Sequence, residues 1–593
     1  MAESTVDIIF AGGGTTACVV AGRLAAADPT LNILIIEAGK HSENVKNHIQ
    51  PARYCNNFRL GDSFTFHVAE PSASLDGRKS ILASGKAVGG GSAVNYLDDW
   101  EKLGNTGWGS TDLIPLANKA EAFQPTLPGH GSSGPISVTA VSSLEQIESG
   151  VGEQFLAVAA VRDSERKIIP DSNNLSASTI NNYSPWSRYV SPQTGKRSDT
   201  AHHYIYNQGH NTKNIQILTC CRVKRVMFRN KRAIGVEYFD HHSETVDPRT
   251  ALTAYASKLV VLSSGVFGSS AILERSGIGA RPALEALGIP VIAELPGVGE
   301  NYNDHVCLLP PYRTSDDEIT LDEIFYGTDQ VIKPYEDRWL QDGQGLMAHN
   351  GNEAGIKIRP NEQDLRMLGS DFSPRWETFF KTHPDKPIMC FAPAAYYAGL
   401  DSEARRHKHF SMLYYADYPA SVGSTHIQST DPYFPLSVRP GYLDKAEDVA
   451  LLRWGYKWTR EMARRMNSYR GEFAPDHPHF PAGSQATCGF ADGPIPVLGP
   501  DIKYTAEDDK AIDAFHRARA QTTWHGLGTC AMKPRELGGV VDARLSVYGV
   551  EGLKIADLSI APTNVSTNTY STALMIGEKA AVLFAEELGI SGV

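Results

Sequence analysis

The chain has 593 residues, of which 41% are hydrophobic and 21% charged, a composition typical of a globular protein with a sizeable core. Its formal net charge of -11 at neutral pH argues against nucleic acid or an anionic membrane surface as a partner. The sequence has no long uncharged apolar run and no basic, apolar secretory leader, so we expect an intracellular, cytoplasmic protein without a membrane partner. Its eight scattered cysteines lack metal-binding spacing, so no metal site is expected.

The first elements in the chain predict a βαβ unit. An apolar run predicts a strand, a glycine-rich turn and a helical stretch follow, and a second strand leads to an acid: residues 6–11, 12–17, 18–27 and 32–36, and Glu37. The turn has the pattern G-x-G-x-x-A, and the acid comes twenty positions after its alanine. This arrangement is typical of a dinucleotide-binding fold.

Each residue of that motif has a physical role. Gly12 permits the tight turn, Gly14 lets the backbone approach a pyrophosphate, and the small Ala17 lets helix and strand pack closely. The amino end of the helix offers N–H groups to the phosphates, and Glu37 can accept hydrogen bonds from a ribose diol. We therefore predict a bound ADP-type dinucleotide. An ordinary glycine turn would explain the glycines but not the position of Glu37.

A second glycine-rich segment follows at residues 78–95. It contains Gly89, Gly91, Ser92 and Asn95, which can lay bare backbone and polar side chains against a cofactor. Taken alone, the segment is also compatible with a flexible hinge.

Clean α/β patterning occurs in three separated parts of the chain, with irregular, loop-rich sequence between them. We predict a cofactor domain that is discontinuous in sequence, made of residues 1–100, 214–305 and 520–593. The remaining residues, 101–213 and 306–519, are predicted to form a substrate-binding domain inserted between its pieces.

Several further segments carry a family resemblance. They are the run 265–279, the stretch L-P-G-V-G-x-N-x-x-D-H at residues 295–305, and the carboxyl-terminal segments 501–507, 523–530, 547–559 and 568–579. Together with the two glycine-rich segments, they resemble the glucose–methanol–choline (GMC) family of flavoprotein oxidoreductases. The resemblance runs nearly end to end and is strongest to the fungal methanol/alcohol oxidase branch.

The resemblance implies FAD as the cofactor and an α/β fold with an α+β substrate part. In that fold, a Rossmann-like, discontinuous FAD-binding domain carries an inserted substrate-binding domain with a mixed sheet. It also implies oxidation of a primary alcohol to an aldehyde, with hydride passing to flavin N5 and O2 becoming H2O2. His525 would be the base and Asn568 its partner, because neutral histidine suits proton abstraction and the amide can hold the substrate oxygen. The implied cofactor-binding residues are Gly12, Gly14, Thr15, Thr16, Ala17, Glu37, Ala38, Gly89, Gly91, Ser92, Asn95, Val223, Trp524, Asp557, Leu558 and Thr569.

The chain departs from the family pattern after Asn95, where a short stretch that covers the flavin in relatives is missing. The carboxyl end also lacks a recognisable peroxisomal signal. Three alternatives to the oxidase therefore stay open: a dehydrogenase of fungal secondary metabolism with another electron acceptor, a hydroxynitrile-lyase-like enzyme, and an inactive relative. The substrate itself and the assembly into a homo-oligomer are left open. We interpret His305 as structural support for the cofactor site.

Overall fold

The computed structural model describes residues 5–90, 98–141, 150–241, 250–566 and 568–593. Its strands are β1 Thr5–Ala11, β2 Ile33–Ile36, β3 Phe64–Val68, β4 Ile81–Gly85, β5 Glu121–Gln124, β6 Ile136–Thr139, β7 Tyr183–Pro185, β8 Ile215–Leu218, β9 Cys221–Arg229, β10 Arg232–Asp240, β11 Leu252–Leu262, β12 Ile278–Gly279, β13 Ala293–Glu294, β14 Val306–Leu308, β15 Pro311–Thr314, β16 Ala354–Ile358, β17 Met389–Ala394, β18 His409–Ala416, β19 Ser424–His426, β20 Ser437–Arg439, β21 Tyr469–Glu472, β22 Gln521–Thr522 and β23 Leu553–Ile555.

The α-helices are α1 Thr15–Ala27, α2 Lys46–Ile49, α3 Tyr54–Leu60, α4 Asp98–Lys102, α5 Ser110–Ala120, α6 Gly150–Arg162, α7 Gly265–Arg275, α8 Arg281–Ala286, α9 Asp322–Tyr326, α10 Asp329–Asp342, α11 Glu362–Arg375, α12 Ala446–Ala463, α13 Ala506–Arg519 and α14 Tyr570–Leu588. Shorter 3-10 and π turns connect them, including the π turn Ala201–Ile205 and the 3-10 turn Leu558–Ile560.

The first large sheet has seven strands and contains the predicted βαβ unit. Its order is β8-β2-β1-β11-β10-β9, and β23 pairs with β11. Strands β8, β2, β1, β11 and β23 pair in parallel, whereas β9, β10 and β11 form an antiparallel meander. Strand β2 and the last four residues of β1 are buried runs of apolar residues, as expected for parallel strands covered on both faces. The carboxyl ends of β1, β2 and β11 meet at one edge, which is where an open parallel sheet binds its ligand.

The second large sheet has eight strands, in the order β21-β15-β18-β17-β16-β7, with β14 bridging β18 and β22. All of its pairs within the described residues are antiparallel, whereas the sequence analysis predicted a mixed sheet for this part. The pairs are antiparallel even where a helix lies in the connection, as α11 does between the neighbouring strands β16 and β17. The first sheet, by contrast, contains both parallel and antiparallel strand pairs.

The first and last long helices pack against each other on the first sheet. The contact is close because Gly577 of α14 faces Val19 of α1, where a Cβ on the glycine would lie 2.8 Å from the Cβ of Val19. Arg23 of α1 forms an ion pair with Glu578 of α14, whose side chain is completely buried. This contact fixes the amino-terminal turn of the chain relative to the segment that leads into α14.

These elements confirm the predicted α/β class with a second, sheet-based part. Strand β22 lies in the stretch predicted to belong to the cofactor domain, yet it pairs with β14 of the second sheet. The domain boundaries themselves stay a prediction.

Candidate active site

The turn between β1 and α1 forms a cradle of bare backbone. Gly12 has a φ of +101°, and a Cβ there would lie 2.5 Å from the carbonyl oxygen of Ser263, so a side chain is excluded. Gly14 is the N-cap residue of α1 and provides no side-chain cap, and within this described helix the first turn contains no acidic residue. The N–H groups at the start of α1 therefore face a position suited to an anionic ligand.

Glu37 lies directly after β2, beside that cradle. Its two carboxylate oxygens accept hydrogen bonds from the N–H groups of Gly13 at 2.8 Å and Gly39 at 2.7 Å. Burial raises the pKa of Glu37, although these N–H groups oppose the rise. Ala38 follows Glu37 in the chain. The Cys221 N–H, at the start of β9, donates to the Glu37 carbonyl at 2.9 Å, and Val223 lies two residues further along that strand. The predicted acid thus lies at the carboxyl end of β2, beside the glycine turn, and its contact with a ribose diol stays a prediction.

Gly89 and Gly90 lie over the amino end of α1. The N–H of Gly89 donates to the carbonyl of Gly13 at 2.8 Å, and the Thr15 hydroxyl donates to the carbonyl of Gly89 at 2.9 Å. A Cβ on Gly90 would approach the Thr15 nitrogen to 3.0 Å. The two glycine-rich segments therefore meet, as their predicted shared role requires.

Three further predicted cofactor residues, Gly91, Ser92 and Asn95, lie outside the described residues. The same holds for Tyr96 and Leu97, where the family pattern is interrupted.

The carboxyl end of β23 completes this edge of the sheet. The Thr16 hydroxyl donates to the carbonyl of Ala556, and Ala17 is fully buried in α1. The Asp557 carboxylate accepts hydrogen bonds from the Gly265 N–H at 2.9 Å and the Ser269 hydroxyl at 2.6 Å, and burial raises its pKa. Leu558 follows it in the 3-10 turn, and Thr569 is the buried N-cap residue of α14.

His525 follows β22 in a short extended segment. Its N–H donates to Oδ1 of Asp304 at 3.2 Å, and its Nδ1 lies 2.9 Å from Nδ1 of His305. Burial, together with the neighbouring His305 ring, holds the pKa of His525 well below its ordinary value. No hydrogen-bond partner is found for Nε2 of His525 within the described part of the chain. His525 is therefore a neutral imidazole with one ring nitrogen held and the other available.

Asn568 reaches the same place from the loop before α14. Its Oδ1 accepts a hydrogen bond from the hydroxyl of Tyr415 at 2.8 Å. The Tyr415 ring lies edge-on to the His525 ring, with 6.0 Å between the ring centres. The two predicted catalytic residues thus both contact Tyr415 of β18, in the second sheet.

Two neighbours of this site were not predicted from the sequence. Tyr415 was not singled out, because an aromatic residue in an apolar strand is usually part of the core. Asp304 was only noted as part of a motif, but its carboxylate accepts hydrogen bonds from the N–H groups of His305 and His525 and from the hydroxyls of Tyr302, Tyr442 and Thr522. The Asp-His pair at residues 304 and 305 was the signal in the sequence that could have identified this group of hydrogen bonds.

Trp524, predicted to contact the cofactor, has a left-handed backbone with φ of +61° and a side chain that is 48% exposed. Its ring packs against Phe58 at 4.8 Å, and Phe58 stacks on Phe64 at 4.6 Å. This aromatic group lies beside His525 in the chain. Whether Trp524 itself contacts a cofactor stays a prediction.

The described residues contain no group of three or more His, Cys, Asp or Glu side chains that could hold a metal ion. Among the same residues, no helix has the length and apolar character required to cross a bilayer.

The parallel strands β8, β2, β1, β11 and β23 and the glycine turn between β1 and α1 are typical of a dinucleotide-binding protein. The GMC oxidoreductase family matches the chain with its amino-terminal part over residues 6–307 and its carboxyl-terminal part over residues 419–577. The chain belongs to the GMC oxidoreductase family. It is an FAD-dependent oxidoreductase, which confirms the predicted class and cofactor.

Two curated relatives cover almost the entire chain. The alcohol oxidase of Candida boidinii is 37% identical over 647 aligned positions, which cover 99% of this chain and 96% of that protein. The alcohol oxidase of Pichia angusta is 36% identical with the same coverage. These relatives confirm the predicted likeness to fungal alcohol oxidases. Because the alignment is longer than the 593 residues of this chain, the Candida protein contains segments that this chain lacks.

A solved structure shares the fold. An FAD-dependent oxidoreductase from Chaetomium thermophilum is 23% identical, with a TM-score of 0.79, and the match covers 99% of this chain and 100% of that one.

Proposed function

We propose that this protein is an alcohol oxidase that converts a primary alcohol to an aldehyde, with O2 as the electron acceptor and H2O2 as the product. The relatives with which it shares 35–37% identity along almost its entire length are named alcohol oxidases. One observation carries the proposal: Tyr415 contacts both residues, since its ring lies edge-on to the uncharged His525 and its hydroxyl donates to Oδ1 of Asn568.

The residues of the chain that fit FAD lie at the edge of the first sheet. The first turn of α1 would hold the pyrophosphate, since Gly12 and Gly14 expose backbone there and the N-cap residue Gly14 has no side chain to cap the helix. Glu37 would accept hydrogen bonds from the ribose diol of the adenosine half. When bound, FAD supplies the acceptor for the hydride of the alcohol carbon, and its electrons then pass to O2.

His525 performs the proton transfer in this proposal. An ordinary histidine has a pKa near 6.5, and burial lowers that of His525 further, so the ring is unprotonated at neutral pH. Nε2 accepts the proton of the substrate hydroxyl as the carbon loses its hydride. In this proposal the Asn568 amide holds the substrate oxygen, and the Tyr415 hydroxyl, which donates to Oδ1, fixes the orientation of that amide.

The test is anaerobic reduction of the bound flavin by a panel of primary alcohols, followed in a stopped-flow spectrometer. His525→Ala should slow the reduction by about 10²–10⁴-fold, the usual contribution of a general base. His210→Ala, at an exposed histidine in a different part of the fold, is the control and should reduce at the wild-type rate. A wild-type reduction rate in His525→Ala would refute the assignment of the base.

A peroxide assay in air then tests the acceptor. Flavin that is reduced by alcohol but yields no H2O2 in air would identify a dehydrogenase with another acceptor. Cyanide release from a cyanohydrin without flavin reduction would identify a lyase.

A further inference from the structure

Two consecutive contacts connect the backbone carbonyl of Val565, the ring of His305 and the ring of His525. Nε2 of His305 is 2.8 Å from the carbonyl oxygen of Val565, and Nδ1 of His305 is 2.9 Å from Nδ1 of His525. The two rings meet edge to face, at 81° and with 5.1 Å between their centres. His305 is fully buried, and besides these two contacts the Asp417 backbone and the Asn564 side chain lie near its ring.

The carbonyl of Val565 determines which nitrogen of His305 carries a proton. A carbonyl oxygen can only accept a hydrogen bond, so Nε2 of His305 must be the donor. Burial lowers the pKa of His305, which keeps the ring neutral and limits it to one proton. With that proton on Nε2, Nδ1 of His305 has a lone pair and can only accept.

The same logic passes to the second ring. Since Nδ1 of His305 accepts, Nδ1 of His525 must donate and therefore carries the single proton of its own neutral ring. The lone pair of His525 then resides on Nε2, the nitrogen without a protein partner in the described residues. This is the tautomer that a base needs in order to take a proton from a ligand in the cleft.

We propose that His305 is a positioning residue that fixes the tautomer of His525, so that Nε2 is always the basic nitrogen. The inference rests on the proposed function of His525 as the base, and it adds the group that prepares this base before a substrate arrives. A histidine without such a partner would distribute its proton between both nitrogens, and only one of these two forms would be productive.

The surroundings hold His305 in one orientation. Tyr415 stacks on its ring, with 5.2 Å between the centres and 21° between the planes. The N–H groups of both histidines donate to Oδ1 of Asp304, which fixes the backbone on either side of the contact. Asn564 donates to the carbonyl of Asp304 at 3.2 Å and accepts from the Val565 N–H at 2.9 Å, so the loop that presents the Val565 carbonyl is tied to the same group.

The first test reads the tautomer directly in the unaltered holoenzyme. The protein is labelled with ¹⁵N at its histidine rings, and two-bond ¹H–¹⁵N correlation spectra are recorded near neutral pH, with His525→Ala to assign the signals. We expect Nδ1 of His525 to have the chemical shift of a protonated, pyrrole-type nitrogen and Nε2 that of a pyridine-type nitrogen. The reverse pattern, or an exchange average of both, would overturn the proposal. The result needs no turnover, so it stands even if no alcohol is oxidised.

The second test compares two replacements of His305. His305→Asn keeps an acceptor near the position of Nδ1 and a donor in the same amide, whereas His305→Phe keeps a ring against Tyr415 but has neither nitrogen. In variants that retain FAD, His305→Phe should lower the rate of flavin reduction by about 10–100-fold, the range for partners that orient a functional imidazole. His305→Asn should keep a rate close to that of the wild type.

The two variants also separate this role from a purely structural one. Equal rates in His305→Asn and His305→Phe, whether high or low, would overturn the proposal, because packing and not the acceptor would then decide the rate. If neither variant folds, the spectra of the unaltered protein decide alone. If the wild-type protein shows the expected tautomer but none of the alcohols tested reduces its flavin, the proposed function is refuted instead.

Discussion

The ion pair between the first and last long helices offers a sharp test of what holds the cofactor edge together. Glu578 is completely buried, and its carboxylate accepts three hydrogen bonds from Arg23, at 2.7–3.0 Å, and one from the hydroxyl of Tyr204 at 2.8 Å. Lys119 of α5 lies 3.4 Å away. Glu578→Gln removes the charge while keeping the shape, so two cations are left without their common anion.

The expected cost follows from burial. Breaking a buried ion pair destabilises a protein by about 3–5 kcal/mol. The Arg23 and Lys119 side chains are 24% and 34% exposed, so both cations can turn partly towards water, and we expect the lower end, about 3 kcal/mol. Glu586 of the same helix provides a matched control: its pair with Arg544 is half exposed on both sides, and Glu586→Gln should cost less than about 1 kcal/mol.

The measurement is the thermal midpoint of the FAD-loaded protein, followed by flavin and tryptophan fluorescence. A protein of this size with a bound cofactor need not unfold in one step, so the comparison is between the two variants and not with an absolute free energy. At about 2 °C per kcal/mol, the lower value for large domains, Glu578→Gln should melt about 5 °C below Glu586→Gln. The difference should persist in high salt, because screening weakens exposed pairs far more than buried ones. Midpoints within about 1 °C of each other would refute the claim that this pair holds the two helices together.

Two further changes have equally definite outcomes. Gly12→Ala places a Cβ where there is no space, on a backbone with a φ of +101°, and should abolish most FAD binding, measured as flavin absorbance per protein. Gly288→Ala is the control, because Gly288 also has a positive φ, +68°, but lies in open space, and this variant should keep its FAD. His130 lies between the carboxylates of Glu121 and Asp171, whose hydrogen bonds outweigh burial and raise its pKa to about 9. The resulting stability, up to about 3 kcal/mol, is complete below about pH 6.5 and is lost as the pH rises through about 9. His130→Gln should therefore lower the melting midpoint at mildly acidic pH and have little effect well above pH 9; an equal loss at both would contradict the charge assignment.

The glycine turn between β1 and α1 could be predicted from the sequence because its signal is local. Gly12 and Gly14 lie within a few residues of each other, and the distance to Glu37 is the length of one βαβ unit. The chemistry of bare backbone and a single acid can therefore be inferred without knowledge of any distant contact.

The active centre was predicted only in part, because its contacts are distant in the chain. His525 and Asn568 were named from the resemblance and His305 only as structural support, whereas Tyr415 was not singled out. His305 meets His525 across 220 positions, and Tyr415 meets Asn568 across 153. No local pattern specifies such pairs, since strand pairing and loop packing decide which side chains meet. The same reason explains why the second sheet was predicted as mixed although its pairs are antiparallel.

One contact has a consequence for how the protein comes to be assembled. The Thr16 hydroxyl, in the first helix, donates to the carbonyl of Ala556, 540 positions later in the chain. Strand β23 and helix α14, which complete the cofactor edge, are likewise among the last segments that a ribosome produces. The contacts of α1 with β23 and α14 therefore cannot form until the end of the chain has been synthesised. Contacts of such large sequence separation slow folding and leave apolar edges exposed in the meantime. We therefore expect the first sheet to be completed only after β23 and α14 have been synthesised.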